Sequence, residues 1–154
     1  MPPRVIRSIE ELQSLVGQEV GVSDWLVVSQ ELIDRFADVT DDRQWIHIDP
    51  QRAEVESPFG GTIAHGFLTL SLLSPLQRQI IQVKGNFSRA INYGFNRIRF
   101  PAPVVAGSRI RLRSQLESID CFEGGVQCTW DVAVEIEQQR KPALAAQWIS
   151  RLYH

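Results

Sequence analysis

Asp42 and His47 stand five residues apart in the stretch Thr40-Asp41-Asp42-Arg43-Gln44-Trp45-Ile46-His47. Eighteen residues beyond the histidine, His65-Gly66 heads the longest apolar segment of the chain. A carboxylate and an imidazole can share the proton transfers of general acid–base chemistry. A glycine N–H at a helix start can meet a developing oxyanion. The set suits addition of water to, or its removal from, an acyl thioester. Water must give up a proton as the C3–O bond forms, and C2 must receive one. Asp42 and His47 are the only nearby pair able to handle both transfers, and spacing alone does not divide base from acid between them.

The remaining polar residues around this pair have simpler readings. Asp41 and Asp49 are expected to serve as turn and cap residues. His65, beside a helix start, is expected to support the site by orienting a loop through hydrogen bonds. Gln44 is either a contact to water or substrate or a surface amide, and Trp45 either walls a pocket or packs. His47-x-Asp49 is too sparse for a metal site, and His154 is terminal, so neither a metal nor another cofactor is expected. Arg97, Arg99 and Lys84 are read as solvated bases.

These residues must be positioned by a single domain spanning residues 1–154, a length sufficient to bury about two-thirds of the surface of the unfolded chain. With 16 basic and 18 acidic side chains and a formal net charge of −2, no long basic run attracts nucleic acid. Arg109, Arg111 and Arg113 alternate along an expected strand and read as a solvated face. The opening Met1-Pro2-Pro3-Arg4 has no secretory pattern, and Ile63–Leu76 is too short and too polar to span a bilayer. A soluble, cytoplasmic protein without a membrane partner is therefore expected. A Gly124-Gly125 hairpin turn would place Cys121 opposite Cys128, but a reducing compartment leaves them as two inert strand thiols.

Ser8-Ile9-Glu10-Glu11 is a capping-box pattern for a short helix that stops at Gly17. Residues 19–28 read as a strand. A second helix begins near Ser29 and ends before Thr40, delivering the chain to the Asp42–His47 loop. Asp49-Pro50 starts another helix, which Ser57-Pro58-Phe59-Gly60-Gly61 interrupts. From Thr62 to about Val83 the apolar residues surround most of a helix circumference, which predicts a buried central helix bent by Pro75. The period then changes from 3.6 to 2, with strands over 90–100, 108–120, 126–136 and 143–152. Successive strands with short connections form an antiparallel sheet, and the lone buried helix must lie across its apolar face. The expected fold class is α+β, a sheet wrapped round a long central helix.

Three separated stretches carry a family resemblance over about residue 21 to the C-terminus. They are Thr40–His47, the run Phe59-Gly-Gly-Thr-Ile-Ala-His-Gly-Phe-Leu-Thr-Leu-Ser-Leu-Leu, and Asn92-Tyr93-Gly94 with Arg99-Phe100-Pro101-Ala102-Pro103. They resemble the MaoC-like, or type 2, (R)-specific enoyl-CoA hydratases, which are hot-dog proteins with the signature Ser/Thr-Gly-Asp-x-Asn-Pro-Leu/Ile/Val-His. Asp41 replaces the glycine, Gln44 the asparagine and Trp45 the proline, and Gln-Trp-Ile-His looks like the NodN-like branch. The resemblance implies that Asp42 and His47 bind and polarise the attacking water. It implies that the Gly66 N–H holds the thioester oxygen, with Gln44 as a further contact, and that Ser74 supports the aspartate. It further implies hydration of trans-2-enoyl-CoA to (R)-3-hydroxyacyl-CoA, and a homodimer. Dehydration of an acyl-carrier-protein (ACP) thioester would use the same residues. Thioester hydrolysis and a non-catalytic acyl-thioester-binding role are the competing readings.

Overall fold

A computed structural model describes residues 1–154. The chain runs β1 (Arg4–Ile6), α1 (Ile9–Gln13), β2 (Gln18–Val22), β3 (Leu26–Val27), α2 (Gln30–Thr40), α3 (Trp45–Ile48) and α4 (Pro50–Glu56). It continues α5 (Gly66–Ser71), α6 (Leu73–Ile80), β4 (Ile81–Val83), β5 (Arg89–Arg99), β6 (Arg109–Phe122), β7 (Gly125–Ile136) and β8 (Leu144–Tyr153). The large sheet has the order β2-β6-β7-β8-β5, all antiparallel, with β3 also paired to β6. It wraps the α5–α6 helix in a hot-dog arrangement.

Alternation makes this packing possible. Along β7, Val126, Cys128, Trp130, Val132, Val134 and Ile136 are buried on one face, while Asp131 between them is exposed. Leu73, Leu76 and Ile80 form the matching helical stripe and join Leu112, Leu116 and Leu144 in one core of 27 buried residues. Fully burying one such leucine contributes roughly 1.5–3 kcal/mol. No helix is long and apolar enough to cross a membrane.

Capping follows the expected chemistry. The Ser8 hydroxyl accepts from the Glu11 N–H, while the Glu11 carboxylate accepts from the Arg7 N–H, one residue before the reciprocal partner of a capping box. Ser29 and Asp49 accept from Leu32 and Arg52 at the starts of α2 and α4.

The structure departs from the sequence expectations in four places. The long helix is two helices joined at Leu72, three residues ahead of Pro75, whose missing N–H leaves the Ser71 carbonyl without its helical donor. It also stops at Ile80, because Ile81–Val83 pairs in parallel with Arg4–Ile6, a strand not anticipated at all. One helix face is uncovered, with Phe67 67% exposed. The strand over 19–28 is interrupted at Ser23-Asp24-Trp25, where the Ser23 hydroxyl accepts from Leu112 N–H and keeps the segment on β6.

The fourth departure is the hairpin between β6 and β7. It turns at Glu123-Gly124, not Gly124-Gly125, so Cys121 faces Val126 and Cys128 faces Ile119. Both thiols are free, and burial pushes Cys128 up to about 12, consistent with an inert strand cysteine. On the outer face, Arg111 and Arg113 both donate to Glu135, and Arg109 donates to Glu137. Burial alone would raise the Glu135 carboxyl, but these two guanidiniums outweigh it and hold it below the ordinary range. The arginines are thus committed to a cross-strand ladder.

The two hairpin glycines are needed for different reasons. Gly124 has φ +97°, whereas a Cβ on Gly125 would collide with the backbone carbonyl of Leu152 on β8. Gly125→Ala is expected to cost about 3 kcal/mol through displacement of β8, and Gly124→Ala about 1 kcal/mol through backbone conformation. Urea unfolding midpoints check the order, which equal or reversed losses would contradict.

Candidate active site

The site begins where α2 ends. Its C-terminal residue is followed by Asp41 in the left-handed conformation, φ 58° and ψ 23°. Aspartate tolerates this region better than most side chains, and the glycine of the resembled signature suits the same turn. The turn reverses the chain, presents Asp42 to solvent, and leads into α3, which carries His47. His47 therefore lies on a short helix and not in the loop that its spacing suggested. It is 9% exposed, with its N–H on the Gln44 carbonyl at 3.0 Å.

The segment Thr62–Ala64 is tied to both sides of the site. Ala64 N–H donates to the Val104 carbonyl at 2.8 Å and Ala106 N–H to the Thr62 carbonyl at 2.9 Å. On its other side, Ile63 N–H donates to the Ile46 carbonyl at 3.1 Å, and His47 Nδ1 lies 2.7 Å from the Ile63 carbonyl. A carbonyl only accepts, so His47 carries its proton on Nδ1 and exposes a lone pair at Nε2. Gln30 of α2 braces the same junction: its amide donates to the His47 carbonyl at 2.7 Å and accepts from the Thr62 hydroxyl.

His65, 3% exposed, directs Nε2 to the Asp42 backbone carbonyl at 2.9 Å. Its ring stacks on His47, centroids 3.8 Å apart and planes 25° from parallel, with Phe36 against it at 5.0 Å. Ligating atoms of Asp42, His47 and His65 fall within 4.8 Å of one another. These three are the group that could hold a cation, but stacked rings aim their in-plane lone pairs nearly parallel, a poor arrangement for converging on one ion.

Gly66 follows His65 directly and is the first residue of α5; its N–H has no acceptor in the protein. A Cβ there would press on the Phe100 ring at 3.3 Å. Beside it lies a cavity of about 260 Å³ whose walls include Ile63, Gly66, Thr69 and Phe100. Gln44 is exposed at the start of α3, and its side chain makes no capping bond. Ser74 is engaged elsewhere: its hydroxyl accepts a long 3.4 Å bond from Asn92, and no hydrogen bond joins it to Asp42. Among the expected site residues, then, Asp42, His47 and His65 converge and Gly66 adjoins His65 in the chain, whereas Gln44 is exposed ahead of α3 and Ser74 bonds to Asn92. Gln30 and the Ile63 carbonyl were not anticipated.

Desolvation is the largest influence on His47 and lowers its pKa from 6.5. The Ile63 carbonyl opposes it, the His65 ring reinforces it, and Asp42 opposes it more weakly.

The model of the MaoC like domain matches residues 11–136. The 3-hydroxyacyl-thioester dehydratase Z of Mycobacterium tuberculosis is 50% identical over 149 residues, which cover 96% of this chain and 97% of that protein. Nodulation protein N of Rhizobium leguminosarum bv. viciae is 49% identical over 145 residues, covering 93% and 89%. The solved (R)-hydratase of Pseudomonas aeruginosa superposes with a TM-score of 0.69 at 22% identity, covering 90% of this chain and 82% of that one, and shares the fold.

Nitrogen-detected NMR of the imidazoles is expected to find His47 as the Nδ1–H tautomer, titrating below 6.5. Because folding depresses this pKa, the unfolded chain takes up the proton first on acidification. Stability is full above pH 6.5 and drains as pH falls through the lower folded value. An Nε2–H tautomer, or titration above 6.5, would contradict this geometry.

Proposed function

The chain belongs to the MaoC-like domain family, and on that premise we propose that it hydrates trans-2-enoyl-CoA to (R)-3-hydroxyacyl-CoA, reversibly. The observation that carries this reading is the free Nε2 lone pair of His47, held beside Asp42 and stacked on His65, the residue that leads directly into the unpaired N–H of Gly66. Water sits between the Asp42 carboxylate and His47 Nε2. As its oxygen bonds to C3, one proton passes to Nε2, the C2–C3 π electrons form an enolate, and the Gly66 N–H donates to the thioester oxygen. The His47 imidazolium then returns a proton to C2. Net addition is one water, and the imidazole ends neutral.

His65 supports the pair by holding the Asp42 backbone and lying flat against His47. Dehydration of a 3-hydroxyacyl thioester is the same path reversed, so an ACP thioester is the alternative carrier; the 50% identical mycobacterial protein is itself named a 3-hydroxyacyl-thioester dehydratase. The single contiguous core supports one domain over the whole chain, and a cytoplasmic location is part of the same proposal.

We also propose a homodimer paired through β5. This 11-residue strand ends the sheet, with β8 on one side and no strand on the other. Ile91 and Tyr93 on it are 46% and 57% exposed. An uncovered edge with apolar side chains is a template for pairing.

Absorbance of the conjugated thioester is expected to fall when the protein meets trans-2-enoyl-CoA. Asp42→Asn and His47→Ala, folded by circular dichroism, should each lower kcat/KM by about 10²–10⁴-fold. Release of free thiol without loss of conjugation would replace the hydratase reading with a thioesterase. Light scattering should return twice 17.5 kDa, and a 17.5 kDa species at micromolar concentration would refute the dimer.

A further inference from the structure

A cavity of about 560 Å³ lies between the second half of the central helix and the sheet, with Ser74, Gln77, Asn92, Trp130, Trp148 and Leu152 in its walls. Its size falls within the range of small-molecule sites. Ser74 is eight residues past Gly66, about 12 Å along a helix rising 1.5 Å per residue. An acyl chain whose carbonyl rests at Gly66 and which follows the helix for that distance comes level with Ser74 in the wall of this cavity.

Gln77 is the anomaly in these walls. It occupies the same buried stripe as Leu73, Leu76 and Ile80, where a leucine or methionine would complete the core. It is only 7% exposed, yet neither Nε2 nor Oε1 has a hydrogen-bond partner. Trp148, 5% exposed and in the same wall, also has an unpartnered Nε1. Trp130 beside it is satisfied, its Nε1 donating to the Ser150 hydroxyl at 2.9 Å. Buried polar groups are nearly always paired, so two donor nitrogens and an acceptor oxygen left open around one cavity call for a ligand that supplies the complement.

We propose that Gln77 with Trp148 makes this cavity select acyl chains bearing a hydroxyl there over plain alkyl chains. A hydroxyl can serve each of the three open atoms once: it donates to Gln77 Oε1 and accepts from Gln77 Nε2 and Trp148 Nε1. A methylene in its place leaves every one of them buried and unpaired. This specificity rests on the thioester reading above and goes beyond it by naming the substrate class.

The test compares trans-2-enoyl-CoA thioesters over a series of chain lengths, each plain or carrying a terminal hydroxyl, in the wild-type protein and in Gln77→Met. Crotonyl-CoA, too short to enter the cavity, reports independently on the catalytic pair of the wild type. At the chain length that places the hydroxyl at Gln77, kcat/KM should favour the hydroxylated thioester by about tenfold or more, and Gln77→Met should erase that ratio. A wild-type preference for the plain chain, or a ratio unchanged in Gln77→Met, overturns the proposal. Calorimetric titration with the corresponding saturated thioesters needs no turnover and should show the same order of Kd. If crotonyl-CoA and every longer thioester go unreacted, the hydratase reading fails and the titration alone decides. Equal affinities for hydroxylated and plain chains then sink the proposal, including where Gln77→Met does not fold.

Discussion

The hydrogen bond from His47 Nδ1 to the Ile63 carbonyl organises the site, because with the Ile63 N–H bond to the Ile46 carbonyl it holds α3 in register against residues 62–64. Residues 62–64 are already fixed against Val104–Ala106 beside the sheet. Docking α3 onto them transfers that rigidity to the imidazole. The same bond decides which ring nitrogen is protonated, so position and chemical state are set together. Gln30 reinforces the joint from α2, where one side-chain amide serves both α3 and Thr62. Functional loops on this scaffold are thus held by backbone carbonyls, which substitution of neighbouring side chains leaves in place.

A second constraint is steric and falls on the glycine at 66. The helix start must come close enough to Phe100 that a Cβ would press on its ring, and the closeness leaves an unpaired N–H beside the 260 Å³ cavity. Asp41 meets the opposite demand with a side chain: its left-handed backbone is a conformation glycine adopts freely, yet Arg43 lies 3.4 Å from its carboxylate and from that of Asp38. Such exposed pairs contribute little, roughly 0–1 kcal/mol. The turn therefore depends chiefly on the tolerance of aspartate for that region, and the departure from the family signature leaves its geometry intact.

Strands β6, β7 and β8 were legible because each buries one face, and all four strands from β5 to β8 lie within one or two residues of their expected bounds, although β5 buries no residue fully. Helix starts at Ser8, Ser29 and Asp49 were equally visible, since the capping side chain sits in the sequence itself. What escaped notice was set by contacts distant in sequence. The β1–β4 pair is three residues a side and parallel, and its partners lie 77 positions apart. In the hairpin, Gly-Gly reads as a turn, but the second glycine is required by β8, so the turn moved by one residue and the pairing by two. At the candidate site, Asp42 and His47 were readable because a carboxylate and an imidazole belong to the side chain itself, and Gly66 because its approach to Phe100 leaves little room for a Cβ. The Ile63 carbonyl was not, because any residue at 63 would offer the same atom.

The unequal solvation of the pair also limits what chemistry it can perform. Asp42 is exposed while His47 is nearly buried, although their polar atoms are within 4.8 Å. Were both in water, the carboxylate would favour the imidazolium and leave an ion pair with no base. Were both buried, a proton shared between them would be the cheaper arrangement. Here the desolvation of His47 outweighs the attraction of Asp42, and the stacked His65 adds to it, so the imidazole is held neutral beside a carboxylate that water still reaches. A neutral acceptor next to a solvated anion can take a proton from water without first breaking a salt bridge, and the desolvation that keeps it neutral also favours its return of that proton to carbon in the proposed reaction. Reversible hydration needs that return, and a site that trapped the proton as an ion pair would stall after the first transfer.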